Sequence, residues 1–87
     1  MTTRDALEKF IMECEQTLEY AREQLIDGLR QEHYNDIEYT NAQQMLEDRY
    51  SELMAIYRSA NAQQRERLDR MRYAIQSLQN EMILTDH

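Results

Sequence analysis

Apolar residues recur along this chain at alternating intervals of four and three. In the first segment they are Leu7, Ile11, Cys14, Leu18, Ala21 and Leu25, and in the last they are Leu68, Met71, Ile75, Leu78 and Met82. A mean interval of 3.5 residues places each set on one face of an α-helix, as in helices that pack in the manner of coiled coils. We call these the seam positions. They predict a fold made of packed helices.

The composition agrees with this prediction. The 87 residues include one glycine and no proline, whereas sheets and tight turns consume both. The length is typical of one domain. We therefore predict an all-α fold, with residues 1–87 as a single helical domain and helices over about 4–28, 36–58 and 62–84.

The middle segment carries a wider apolar stripe than the other two. Its seam positions are Tyr39, Ala42, Leu46, Leu53, Ile56 and Ala60, with Arg49 interrupting them. Met45, Tyr50 and Tyr57 widen the stripe on both sides. A helix that contacts two neighbours needs a broad apolar face. The middle helix is therefore expected to lie between the others in an antiparallel three-helix bundle.

A polar stretch lies between the first and second segments. Asn35 and Glu38 have the spacing of a capping box, and Tyr34 and Tyr39 flank the cap as a hydrophobic staple would. Gly28, just upstream, is a residue at which a helix can end. These features favour a break between two helices.

The spacing of seam positions favours the opposite interpretation. It continues without a slip through Leu25, Gly28, Glu32, Asn35 and Tyr39. One helix could therefore run from about residue 4 to about residue 58, giving a long helical hairpin that forms a swapped dimer. The sequence leaves open whether residues 28–36 form a turn or continue one helix.

Metal ligation is not expected. His33 and Asp36 would share a face of a continuous helix, but two ligands do not make a site. The only other histidine is His87, and neither histidine follows a glutamate at the spacing used by carboxylate-bridged di-metal bundles. We predict no metal site and no cofactor.

No catalytic set is apparent. Cys14 is the single cysteine, occupies a seam position, and has Glu13 and Glu15 beside it, which do not favour a thiolate. The chain has no glycine-rich phosphate loop. We predict no catalytic residue and no enzymatic activity.

The only basic cluster lies in the last segment and consists of Arg65, Arg67, Arg70 and Arg72. Three of these arginines flank the seam, where ion pairs between helices form, and Glu8, Glu15 and Glu52 occupy equivalent places in the other segments. Contact with nucleic acid is the functional alternative. It is disfavoured because the chain has a net charge of −7, which phosphate backbones repel.

An up-down-up bundle would bring several apolar residues to one end. Ile26, Leu29, Tyr34, Ile37 and the run Met82-Ile83-Leu84 would gather there, with Ile26, Ile83 and Leu84 off their seams. Such a cluster either closes the core or contacts a partner. The candidate interaction surface is therefore Ile26, Leu29, Tyr34, Ile83 and Leu84, together with Arg65 and Arg72.

Several short stretches resemble a known family. They are QEHYND (31–36), QQRE (63–66), RMR (70–72), QSLQN (76–80) and MIL (82–84). Together they resemble the small YtzC-like family of Bacillus-type bacteria, which has no assigned function and implies a bacterial cytoplasmic origin. The same bacteria hold helical hairpins that dephosphorylate sporulation regulators through a Ser-x-x-x-Asp motif. Here Ser77 is followed by Glu81, so that activity is not carried over.

The sequence thus favours a small, acidic, non-enzymatic regulator or protein–protein interaction module, with a homodimer as one possible assembly. A cytoplasmic location is expected because the start of the chain lacks a secretory signal, and no apolar run reaches the roughly 20 residues of a membrane span. The alternatives are a phosphorelay accessory, either a phosphatase or a phosphotransfer protein using His33, and nucleic-acid binding through the arginine cluster.

Overall fold

The computed structural model describes residues 3–31 and 37–85. Three helices fill these ranges: α1, Arg4–Gln31; α2, Ile37–Ser59; and α3, Ala62–Thr85. Each helix contacts both of the others. The predicted all-α three-helix bundle is confirmed, and no strand occurs within the described ranges.

Two contacts fix the directions of the helices. Glu8, near the start of α1, pairs with Arg67, near the start of α3, so these two helices are parallel. Tyr39, in the first turn of α2, bonds to Met82, near the end of α3, so α2 runs antiparallel to them. The end of α1, the start of α2 and the end of α3 therefore lie at one pole of a rod measuring 44 × 19 × 15 Å.

The alternative of one continuous helix over residues 4–58 is wrong. α1 ends at Gln31, and α2 returns along it, with Arg49 bonded to Thr17 of α1. A continuous helix would have left glycine and two polar residues on the seam, which bury too little apolar surface to hold a helix in place. The proposed cap and staple at Asn35 and Tyr34 lie outside the described residues.

The expectation that α1 ends at Gly28 is also wrong. The helix continues through Gly28, which is buried, to Gln31. Glycine costs about 1 kcal/mol in a helix interior relative to alanine. Here it occupies a buried seam position.

The seam positions form the core. All those named in α1 and α3 are buried, as are Tyr39, Ala42, Leu46, Leu53 and Ala60, whereas Ile56 is only partly buried. Phe10 and Thr17 add to the buried face of α1. A fully buried leucine or isoleucine contributes about 1.5–3 kcal/mol, so the stability of the bundle rests on this stripe.

Side-chain caps close two helix starts. The Thr3 hydroxyl accepts a hydrogen bond from the backbone N–H of Ala6 at 3.1 Å. At α3, the Asn61 side chain accepts from the Gln64 N–H at 2.9 Å, and the Gln64 side chain accepts from the Asn61 N–H at 3.0 Å. Asn61 and Gln64 therefore form a capping box.

Candidate functional site

Large apolar side chains are exposed mainly at one pole. Eight described residues of this kind are exposed, and five of them lie where α1 ends, α2 begins and α3 ends. These five are Ile26, Leu29, Ile37, Ile83 and Leu84, with exposures from 48% to 78%. We call this set the apolar pole. The other three, Met12, Met45 and Tyr73, lie along the sides of the rod.

The apolar pole lies outside the core because of helix geometry. Met82 occupies the seam and is fully buried. Successive residues rotate by about 100° around a helix, so Ile83 and Leu84 turn away from the neighbouring helices. Ile26 follows the buried Leu25 in the same way. Tyr34, which was predicted to join this cluster, lies outside the described residues.

A buried polar contact closes the core beneath the pole. The Tyr39 hydroxyl donates to the Met82 carbonyl oxygen at 2.7 Å and lies 3.3 Å from the Thr85 hydroxyl. Thr85 also donates to the carbonyl oxygen of Glu81 at 2.9 Å. These hydrogen bonds join the start of α2 to the end of α3, directly beneath the apolar pole.

The half of the rod that holds the apolar pole is strongly acidic. Residues 18–31, 37–48 and 74–85 carry seven acids and two arginines, a net charge of −5. Residues 3–17 and 49–73, in the other half, carry seven acids and eight basic residues, a net charge of +1. The bundle therefore has a charge asymmetry along its axis.

Exposed carboxylates lie within three residues of an apolar-pole side chain on each of the three helices. They are Glu23 and Asp27 on α1, Glu38 on α2 and Glu81 on α3. We call these four residues the acidic rim. Glu38 also lies in the first turn of α2, where the helix dipole favours a negative charge.

A shallow groove of about 340 Å³ leads away from the pole between α2 and α3. Its lining residues are Gln43, Glu47, Gln79, Asn80 and Ile83. Ile83 belongs to both the groove and the apolar pole, so the two surfaces are continuous. The groove offers amide groups that can donate and accept hydrogen bonds, and one carboxylate.

A larger groove, of about 480 Å³, lies at the opposite end of the rod. Its charged residues include Glu8 and Arg67, which pair with each other, and Gln64 belongs to the α3 capping box. Glu8 and Arg67 therefore already serve the contact between helices, and Gln64 already serves the start of α3.

Among the arginines of the basic cluster, Arg67 makes the expected contact between helices. It forms a two-pronged pair with Glu8, one hydrogen bond of which measures 3.3 Å. Its guanidinium holds the pKa of Glu8 below its usual value, chiefly through this hydrogen bond. Arg70 pairs instead within α3, with Glu66 at 3.1 Å.

Arg65 and Arg72 do not make the predicted pairs with α1 or α2 carboxylates among the described residues. Arg65 donates to the carbonyl oxygens of Tyr57 and Arg58, at 3.0 and 3.3 Å, and so caps the end of α2. Arg72 pairs with Asp69 at 3.0 Å. Both guanidinium groups lie over the Tyr57 ring, at 5.0 and 5.8 Å from its centre. These arginines brace the corner between α2 and α3.

Arg49, which interrupts the α2 seam, is part of a polar network. Its Nε donates to the Thr17 hydroxyl at 3.1 Å, and its guanidinium lies 3.2 Å from Glu52 and 3.4 Å from Glu13. Thr17 is buried and donates to the Glu13 carbonyl oxygen at 3.0 Å. The network joins α1 to α2 at mid-height, and Thr17 was not identified from the sequence.

Among the residues that the structure describes, those with possible chemistry are not brought together. Cys14 is fully buried, and burial raises the pKa of its thiol to about 12. His33 and His87 lie outside the described residues. Within residues 3–31 and 37–85, no three potential ligand side chains are grouped to hold a metal ion. None of the helices in these ranges has the length and apolar character needed to cross a lipid bilayer.

These observations define a small helical bundle with an exposed apolar pole and an acidic rim. The model of the family described as Protein of unknown function (DUF2524) matches residues 1–84, and the chain belongs to this family. It is also similar to the Uncharacterized protein YtzC of Bacillus subtilis (strain 168), with 50% identity over 84 residues, covering 97% of this chain and 93% of that protein. The resemblance found in the sequence is thus confirmed. No solved structure matches the chain.

Proposed function

We propose that this protein is a non-enzymatic interaction module of the bacterial cytoplasm that binds another protein through its apolar pole. The observation that carries the proposal is that, of the eight large apolar side chains exposed in residues 3–31 and 37–85, five lie at that end of the rod. Scattered apolar residues are common on protein surfaces, but a group of them at one location is typical of a contact surface.

The core does not require these five side chains. Tyr39 and Met82 are buried beneath them and close the bundle with a hydrogen bond. Covering the remaining exposed area would stabilise a complex, at about 25 cal/mol for each Å² of apolar surface removed from water. Association itself costs an estimated 4–15 kcal/mol, which offsets much of this gain, so a contact made by five side chains suits a reversible complex.

The arginine cluster gives less support to nucleic-acid binding. Arg67 and Arg70 pair with carboxylates, and Arg65 caps α2. These contacts account for the positions of the arginines without a phosphate partner. The acidic half of the rod would also repel a polyanion.

Site-specific photo-cross-linking in the native host tests the proposal. Leu84 is replaced by the photoreactive residue p-benzoyl-phenylalanine, and Tyr73, exposed on the side of the rod, is replaced in a matched control. We expect a discrete adduct from position 84 that does not form from position 73. Adding Ile83→Gln to the first variant should reduce its yield, because Ile83 lies beside the probe on the same pole.

The two positions are matched because both are about three-quarters exposed and both lie on α3. Equal adducts from both would show non-specific capture. The absence of any adduct from position 84, with the variant present at its native level, would contradict the proposal.

A further inference from the structure

We infer that the partner of the apolar pole is a cationic amphipathic helix, one whose apolar face is flanked by lysine or arginine. This inference rests on the proposed function and specifies the chemistry of the partner. It follows from the coincidence of three features at one end of the rod: the apolar pole, the acidic rim and the groove that begins at Ile83.

Charge complementarity determines the sign of the charge that the partner carries beside its apolar face. The four carboxylates of the acidic rim are exposed, and each lies within three residues of an apolar-pole side chain on its own helix. A helix that lays its apolar face on the pole therefore places its flanking residues beside these carboxylates. Basic flanks are attracted and acidic flanks are repelled, and such rim charges control both association rate and specificity.

A second copy of this chain is a poor occupant. A symmetric dimer would place the same pole on both sides of the interface. It would bring together two halves that each carry a net charge of −5. Like charges facing each other across an interface cost several kcal/mol, and an anionic lipid surface would be repelled for the same reason.

The groove between α2 and α3 extends the contact beyond the pole. Gln43, Gln79 and Asn80 present amide groups along it, and Glu47 adds a further carboxylate. A lysine or arginine of the bound helix can donate hydrogen bonds to the amide oxygens and to this carboxylate. The groove therefore favours a positively charged partner, as the acidic rim does.

Two designed peptides test the inference with the purified full-length chain. Both are fluorescein-labelled helices of about four turns with identical leucine positions; one has lysine and the other glutamate at the remaining positions. We expect the leucine/lysine peptide to bind at least about tenfold more tightly in a fluorescence-polarisation titration. The difference should disappear near 1 M salt, where the Debye length is only about 3 Å.

Variants locate the binding. The double variant Ile83→Gln with Leu84→Gln should bind the leucine/lysine peptide about tenfold more weakly than the wild type does. The double variant Met12→Gln with Tyr73→Gln should bind it as tightly as the wild type. Neutralising two carboxylates of the acidic rim, by Asp27→Asn with Glu81→Gln, should weaken binding of the leucine/lysine peptide at low salt. A matched neutralisation of two carboxylates elsewhere on the rod, Glu15→Gln with Glu66→Gln, should have a smaller effect.

Three results would overturn the inference. The first is equal binding of the two peptides, and the second is an equal loss of peptide affinity in the two variants with neutralised carboxylates. The third is a wild-type dimer that the double variant Ile83→Gln with Leu84→Gln converts to a monomer. The first two leave the cross-linking test of the proposed function intact, since that test does not depend on the partner's charge. In the third, the adduct from position 84 would have the mass of two copies of this chain. Failure of that test, in contrast, shows as the absence of an adduct specific to position 84.

Discussion

The hydroxyl of Tyr39 donates a 2.7 Å hydrogen bond to the carbonyl oxygen of Met82 across the interface between α2 and α3. The last four carbonyl groups of a helix have no N–H partner within it. Tyr39 supplies such a partner close to the end of α3, from the first turn of α2. This contact secures the end of the bundle from which the apolar pole projects.

Tyr39→Phe should destabilise the protein by about 1–2 kcal/mol. The substitution keeps the buried ring but removes the donor to a buried carbonyl group. Urea unfolding followed by circular dichroism measures the change. Tyr73→Phe is the control and should leave the free energy of unfolding unchanged, since Tyr73 is 75% exposed. Equal effects from the two substitutions would show that the hydrogen bond contributes nothing.

Thr17 and Arg49 should be energetically coupled. Thr17→Val keeps the shape of the side chain but removes the acceptor of the Arg49 Nε hydrogen bond. It should cost about 1 kcal/mol. In a double-mutant cycle with Arg49→Met, the coupling free energy should also be about 1 kcal/mol. Strictly additive effects would mean that the two side chains act independently.

The pair of Glu8 and Arg67 gives a prediction about pH. The pKa of Glu8 is lowered in the folded state, so its contribution to stability is present above the usual glutamate pKa, about 4.3. It is lost as the pH falls through the lowered value. An NMR titration should give a Glu8 pKa below the usual value, and Arg67→Gln should return it toward that value. An unchanged pKa in the variant would contradict the assignment.

Cys14 should be unreactive in the folded protein. Burial raises its thiol pKa to about 12, and the thiolate is the reactive form. Ellman's reagent at pH 8 should therefore react slowly without denaturant and at once in urea. Ser77→Cys in a Cys14→Ala background provides an exposed control that reacts immediately, because position 77 is exposed. Rapid stoichiometric reaction of the native protein would refute the burial of this thiol.

Much of the fold can be predicted from local patterns. The interval between apolar residues identifies the seams, because burying one face requires apolar side chains at the helical period. The capping box of Asn61 and Gln64 can be predicted for a similar reason, since both partners lie within one turn. Ile26, Ile83 and Leu84 could be assigned to the pole because they lie off the seams. The predicted up-down-up topology then brings the ends of their helices together.

Contacts between distant residues could not be predicted in the same way. Arg49 looked like an interruption of a seam because its acceptor, Thr17, is 32 residues away. Tyr57 was interpreted as a residue that flanks the seam, but the guanidinium groups of Arg65 and Arg72, both on α3, also lie over its ring. Gly28 was interpreted as a helix end because glycine often follows the last turn of a helix, although it lies on the seam and is buried inside α1.

The most direct test of the account is the free energy of unfolding of the double variant Ile83→Gln with Leu84→Gln. If the apolar pole is a contact surface outside the core, the value should stay within about 0.5 kcal/mol of the wild type. Leu46→Ala, at a fully buried seam position, should cost about 2–5 kcal/mol in the same assay. A loss of that size from the double variant would instead show that the apolar pole closes the core, and would contradict the proposal.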